Sequence, residues 1–235
     1  MGDNMTATNP KDFEKVIKLL PRDVLENVWF FPIRQDTKRP EVPGGSNMKS
    51  EKNRLKRGDA LGRLQKGKNV GIYALEKGLM FLDLDVADGK IIASPVLLEK
   101  LSKTMTIQTR NGGRQYYYLN DGKYTNQLIQ EGKKVVGELR ADWWYVVSVG
   151  SYVPSDEKNA GGDGTYRLIS ENQPIAEFHD IGLNLKPRSD TKTEKSEKNI
   201  TQYDHEKPEN QISNGKHLRE LAKMGIINRV RRVKI

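Results

Sequence analysis

The chain has 235 residues, 35% hydrophobic and 30% charged, with a net charge of +9; that supports one core but is low for a chain compact throughout, so part of it is expected to be linker. The absence of cysteine excludes disulfides, thiolate zinc sites and a cysteine nucleophile, so no structural zinc is expected. No apolar run reaches 18 residues, so no membrane span is expected, and the polar start lacks the apolar stretch of a secretion signal, which fits a cytoplasmic location.

Asn9-Pro10 opens the first predicted helix, with Asn9 as cap and Pro10 in the first turn. Phe13, Val16, Ile17 and Leu20 follow at helical spacing and mark a buried face. Pro21 breaks or restarts it. Trp29 to Ile33 reads as a short strand, followed by a basic loop with Gly and Pro from Arg34 to Asn47. Lys49 to Gln65 reads as a helix with Leu55, Leu61 and Leu64 inward. Val70–Ala74 and Leu79–Leu84 carry the strongest strand signals, and Pro95–Leu101 reads as a helix. Thr104–Thr109 and Gln115–Leu119 are expected to form a hairpin across Asn111-Gly112-Gly113. Val135–Arg140 and Tyr145–Val149 read as a second strand pair, and Thr165–Ile169 as a late strand. Strands joined by turns, with few helices between them, imply an α+β fold with a mainly antiparallel sheet and packed helices.

Residues 187–212 are rich in Lys, Glu, Ser, Thr and Asn and read as a polar linker. Residues 213–235 read as a short basic helical tail, too small for its own core. The expected division is thus 1–186, 187–212 and 213–235. The positive charge is concentrated. Residues 34–68 hold 11 basic and 4 acidic side chains, and residues 186–235 hold 13 and 7. Two such segments suit a polyanion such as nucleic acid, although solubility alone would account for them equally well.

The segment Leu79-Met80-Phe81-Leu82-Asp83-Leu84-Asp85 carries the clearest chemistry. Strand alternation puts Asp83 and Asp85 on one side. Two carboxylates at that spacing repel unless a cation lies between them, and hard oxygen ligands suit Mg²⁺ or Mn²⁺. Such ions can bridge a polyphosphate. The plainer reading is a solvent-facing strand end, and an Asp-x-Asp of this kind also occurs in sugar-nucleotide transferases. Glu138 lies on a predicted strand that can reach the same face; its plainer reading is an ion pair with Arg140. In Thr109-Arg110-Asn111-Gly112-Gly113-Arg114 the glycines permit close backbone approach, and Arg110 or Arg114 can pair with phosphate; an ordinary hairpin turn is the commoner case. Tyr116 to Tyr118, Trp143 and Trp144 are candidates for base stacking, with about half expected in the core. His179, His205 and His217 show no metal-ligand spacing.

Taken in order, these pieces resemble a family. Trp29-Phe30-Phe31-Pro32-Ile33 with Thr37-Lys38-Arg39-Pro40, then Asn69-Val70-Gly71-Ile72, then Phe81 to Asp85, are similar to the successive opening motifs of the bifunctional primase-polymerase domain of archaeal and bacterial plasmids and viruses. That domain belongs to the archaeo-eukaryotic primase superfamily. Gly112 to Tyr118, Gly137-Glu138-Leu139-Arg140, Tyr145 to Val147 and Gly150-Ser151 continue the resemblance across most of residues 28–170. Ile212 to Leu218 resembles the opening of the helical segment that often follows.

The resemblance implies an RRM-like sheet and template-directed nucleotidyl transfer with two divalent ions, Mg²⁺ or Mn²⁺, held by Asp83, Asp85 and Glu138. It implies that NTP or dNTP meets Gln115, Arg114, Arg110, Lys38 and Arg140. It implies that template DNA meets the basic segment, through Lys52, Arg54, Lys56 and Arg57, and the tail, through Arg231 and Arg232. A replicative helicase is an expected partner. Two departures count. Gln115 stands where the family's second motif has histidine, and glutamine donates a hydrogen bond without charge; Arg114 is the candidate to compensate. Glu138 stands where aspartate is usual. The alternative is a replication protein that binds DNA or nucleotide without polymerising.

Overall fold

A computed structural model describes residues 7–35, 37–41, 50–155, 162–170, 173–179 and 181–188. All of these belong to one compact unit ending at Arg188. The rest of the expected linker, and the basic tail with Arg231 and Arg232, lie outside the described residues.

Helix α1 (Pro10–Leu19) starts where expected, with the Asn9 side chain accepting the Asp12 N–H at 3.4 Å. Its inward face carries Phe13, Val16 and Ile17. After Pro21 the chain restarts as α2 (Arg22–Asn27) and enters β1 (Phe30–Pro32). The single helix expected over Lys49–Gln65 is instead one 3₁₀ turn, Glu51–Asn53, and a shorter α3 (Arg57–Gln65). The Leu55 N–H donates to the Phe30 carbonyl at 2.8 Å. Pairing with β1 thus holds Leu55 extended and overrides local helix propensity.

Next come β2 (Val70–Tyr73), β3 (Gly78–Leu84), a small hairpin of β4 (Val86–Ala87) and β5 (Lys90–Ile91), and α4 (Pro95–Leu101). The Ser94 hydroxyl caps α4 by accepting the Leu97 N–H at 3.2 Å. Then follow β6 (Thr106–Gln108), β7 (Arg114–Asn120), β8 (Gln127–Glu131), β9 (Lys134–Arg140) and β10 (Tyr145–Val147). The described chain finishes with β11 (Tyr152–Val153), β12 (Gly164–Thr165), β13 (Arg167–Leu168), β14 (Ala176–Glu177) and β15 (Asn184–Pro187).

The larger sheet runs β13-β6-β7-β3-β9-β8-β15, antiparallel throughout, with β14 added in parallel to β7. A smaller antiparallel sheet has the order β1-β2-β10. The α+β class with a mainly antiparallel sheet is therefore as expected, and so is the β6–β7 hairpin. Two strand readings are corrected. Val135–Arg140 does not pair with Tyr145–Val149: β9 lies between β3 and β8, while β10 crosses to the smaller sheet. Thr165–Ile169 is divided at Tyr166 between β12 and β13, which serve different sheets. Strand β15 also carries Pro187, which composition assigns to the linker; its exposed edge has little apolar content to announce a strand.

Strand β3 is buried on both faces, which is why it reads as an unbroken apolar run. Leu79 and Phe81 join a core with Phe13, Phe31, Leu64 and Tyr73. Met80, Leu82 and Leu84 join a second core with Leu97, Leu101 and Tyr116. Tyr116, Tyr117 and Tyr118 are all buried in these cores, so none of the three stacks bases. Strand β9 approaches β3 closely at Gly137, where an added Cβ would lie 2.5 Å from the Asp83 carbonyl oxygen. Gly137→Ala is expected to cost about 1–3 kcal/mol, the usual penalty of overpacking, read as a lower denaturant midpoint with an unchanged slope.

Candidate functional site

The register of three strands builds the site. Asp83 on β3 stands opposite Gln115 on β7 and Glu138 on β9, so one cross-strand row reads Gln115–Asp83–Glu138. Alternation turns Asp83 to the same face as Leu79 and Phe81, but at the strand end, where the core gives way to a cleft of about 290 Å³. Strand β3 stops at Leu84, and pairing continues for one residue as the Asp85 N–H donates to the Val136 carbonyl at 3.0 Å. Asp83 and Asp85 both line the cleft, together with Lys38, Gln115, Arg140, Tyr145 and Tyr166.

Charge is tightly interlocked here. Arg140 Nη2 lies 3.0 Å from Asp83 Oδ2 and 3.0 Å from Glu138 Oε2. Arg188 Nη1 reaches Glu138 Oε1 at 2.6 Å, and its guanidinium sits 4.2 Å from the Trp144 ring centroid. Glu138 therefore makes the ion pair that its neighbour Arg140 suggests, and a second one with Arg188. Burial raises the Asp83 carboxyl above the ordinary range; Arg140, Lys38 and the Gln115 amide oppose that shift, while Glu138 adds to it. Asp85 is also raised, first by partial loss of water from its carboxyl at the cleft wall and then by repulsion from Asp83 and Glu138. Two carboxylates that burial and neighbouring acids make costly to ionise form a donor pair that a divalent cation would relieve. Among the described residues no group of three acidic or histidine side chains has metal-binding geometry. Asp83 and Asp85 fit a cation as a pair, with Glu138 drawn to arginine.

The other candidate residues divide. Lys38, Gln115 and Arg140 line the cleft as expected. Gln115 is 2% exposed, and its Oε1 has no hydrogen-bond partner among the described residues. Arg110 and Arg114 do not line the cleft. Arg110 is buried and donates to the Pro154 carbonyl. Arg114 lies one residue from Gln115 on β7, so it faces the opposite side of the sheet, with Nη1 3.4 Å from the Tyr116 hydroxyl. It is not placed to compensate for Gln115. The turn instead offers Thr109 and Asn111 to the cleft. Gly113 lets the turn close on β3, since a Cβ there would meet the Leu84 carbonyl at 2.9 Å.

Of the expected DNA contacts, Lys52, Lys56 and Arg57 are exposed. Arg54 is not a free surface cation, because it donates to the Glu26 and Val28 carbonyls and stacks 5.0 Å from the Trp29 ring centroid. His179 approaches Glu177 at 3.9 Å, away from the cleft.

A family model described as bifunctional DNA primase/polymerase, N-terminal, matches residues 22–180. The chain belongs to this family. The matched span includes Lys38, Asp83, Asp85, Gln115, Glu138 and Arg140, so the cleft lies within the primase/polymerase domain. Membership implies nucleotidyl transfer in general, with DNA and nucleotides as substrates in DNA replication. No curated protein matches the chain. No described helix is long and apolar enough to cross a membrane.

Sequence reasoning missed Arg188 and Tyr166, and it took Trp144 for a base-stacking ring rather than the platform under Arg188. Arg188 lies in a polar stretch without periodicity, and only the pairing of β15 with β8 brings it to Glu138. Asp85→Asn is expected to raise the unfolding temperature of cation-free protein at pH 7. A carboxyl raised in the native state binds protons more readily folded than unfolded, so stability falls as pH climbs from the ordinary value of about 3.9 through the folded value. The gain should shrink as pH is lowered toward about 4, measured by thermal melts in chelator.

Proposed function

We propose that the protein is a DNA primase and DNA-dependent DNA polymerase that performs two-metal, template-directed nucleotidyl transfer in plasmid or virus replication. The observation that carries this reading is the cross-strand row Gln115–Asp83–Glu138 at the mouth of a cleft within the matched domain, with Asp85 beside it. Asp83 and Asp85 would hold Mg²⁺ or Mn²⁺, and Glu138 would complete the set once an incoming charge draws Arg140 or Arg188 away. When bound, such ions polarise the phosphoryl oxygens and lower the pKa of the attacking hydroxyl.

The chain's own groups position the substrate. Lys38 and Arg140 supply positive charge to the triphosphate, and the Gln115 amide donates a neutral hydrogen bond. A 3′-hydroxyl, or an initiating nucleotide, forms the new bond to the α-phosphorus while the bond to pyrophosphate breaks. Lys52, Lys56, Arg57, Arg231 and Arg232 would neutralise template phosphates, and a replicative helicase would supply the opened duplex.

Asp83→Ala and Asp85→Ala should each lower divalent-dependent nucleotide incorporation on a primed or unprimed DNA template by at least about a hundredfold, the scale on which one preorganised electrostatic group acts. Incorporation that survives both changes assigns the chemistry elsewhere. Gln115→His should tighten nucleotide binding severalfold, because a charge-assisted bond is roughly twice as strong as a neutral one; titration calorimetry at pH 6 and pH 8 would show the gain larger at the lower pH, where imidazole is charged.

A second reading is favoured by the same uncharged Gln115 and by the two arginines on Glu138. In it the protein binds DNA and nucleotide but polymerises weakly. Retained DNA binding without incorporation under either metal would select it.

A further inference from the structure

The active cleft uses one end of β3. The other end, at Gly78 and Leu79, borders a separate cleft of about 490 Å³ whose walls include Trp29, Tyr73, Trp143 and Arg54. Its aromatic side is built edge to face. The Trp29 and Trp143 centroids are 5.3 Å apart at 76°, and those of Tyr73 and Trp143 are 5.7 Å apart at 61°. Trp29 is 7% exposed and Tyr73 is 1% exposed. Trp29 Nε1 and the Tyr73 hydroxyl are both buried without a hydrogen-bond partner among the described residues. Buried donors are normally satisfied, so two unmet ones on residues of a single cleft wall call for an acceptor, which reaches them when the wall yields.

Trp143 adds an independent sign. Its φ is 50°, in the left-handed region that a bulky residue rarely adopts. The fold holds it there through the Trp143 N–H donating to the Ala74 carbonyl at 2.9 Å and the Ala74 N–H donating to the Trp144 carbonyl at 2.7 Å. Strain of this kind persists where the surroundings impose it, and it clusters at binding sites. Its result here is a half-buried indole presented to the cleft.

We propose that this cleft binds one unstacked base of single-stranded DNA. A nucleobase is a planar ring with acceptor atoms at its edge. It would stack on Trp143 and, as the wall yields, accept from Trp29 Nε1 and the Tyr73 hydroxyl. The rim sets Asp23 and Glu76 against Arg54 and Lys77, a balance that suits a base better than a triphosphate. Strand phosphates have their own partners, because the exposed Lys52, Lys56 and Arg57 flank Arg54 in the chain. Leu79 and Asp83 lie four residues apart on β3, about 13 Å, so a short oligonucleotide can reach both clefts. The inference shares DNA with the proposed function but not its chemistry, so either can fail alone.

The test is an indole-NH NMR titration of the full chain with oligo-dT and, separately, with dTTP, in chelator. The Trp29 resonance is assigned with Trp29→Phe. The expected result is that oligo-dT shifts the Trp29 signal, that dTTP at equal nucleotide concentration does not, and that Asp83→Asn protein gives the same shift. Trp143→Ala should weaken oligo-dT binding about fivefold or more, the effect of losing one stacking partner. Tyr73→Phe, which keeps the ring, should weaken it by a smaller factor. A Trp29 signal unmoved by oligo-dT, or wild-type affinity in Tyr73→Phe and Trp143→Ala, overturns the proposal. An equal shift with dTTP makes the cleft a mononucleotide site and overturns the strand assignment.

Discussion

Asp83 and Glu138 face one another across neighbouring strands and reach the same Arg140 nitrogen at 3.0 Å. That shared cation is the constraint on which the rest of the site depends. Without it, two poorly hydrated carboxylates would repel at the mouth of the core, and breaking a buried pair of this kind is costly. Burial alone would lower the Arg140 pKa, but Asp83 and Glu138 raise it, so the guanidinium stays charged and the row stays assembled. A substrate cation or polyphosphate entering the cleft would meet carboxylates and arginine already positioned for either sign of charge.

The interaction forms only because β3 is central. Its two faces are buried in different cores, so its register against β7 and β9 has almost no freedom. A one-residue slip would send Asp83 into the core that holds Met80 and Leu82 and bring a leucine into the cleft. Gly137 tightens the same point by letting the β9 backbone close on the Asp83 carbonyl. Much of the fold's apolar burial thus serves to fix three polar side chains in one line.

An aromatic cluster joins the two ends of the inter-sheet space. Tyr73 packs 4.4 Å from Phe31 and 6.0 Å from Tyr145, centroid to centroid. Tyr145 lines the carboxylate cleft and Tyr73 lines the aromatic one. The two residues are register partners in the smaller sheet. Both clefts therefore border one packed aromatic layer, which gives family membership in the primase/polymerase domain a concrete geometry: carboxylates near one end of β3, aromatic rings near the other.

Much of this was legible in the chain itself. Local spacing determined α1, α4, the β6–β7 hairpin and β3, because caps, prolines and an unbroken apolar run act over a few residues; that β3 is buried on both faces is a property of the two cores. The motif order also determined the family and singled out Asp83, Asp85, Glu138, Gln115 and Arg140. Long-range pairing was not legible, because hydrogen bonding between strands leaves no local trace. Only the tertiary structure sent β10 to the smaller sheet, held Leu55 extended and brought Arg188 onto Glu138. It alone turned Arg114 to the far face and buried Arg110, since a glycine-rich turn permits close approach without choosing which side chains face the cleft. Asp83 and Asp85 were read as a pair because strand periodicity is a property of the chain. Their raised pKa values and the arginine that joins Asp83 to Glu138 are properties of what three separate strands bury together.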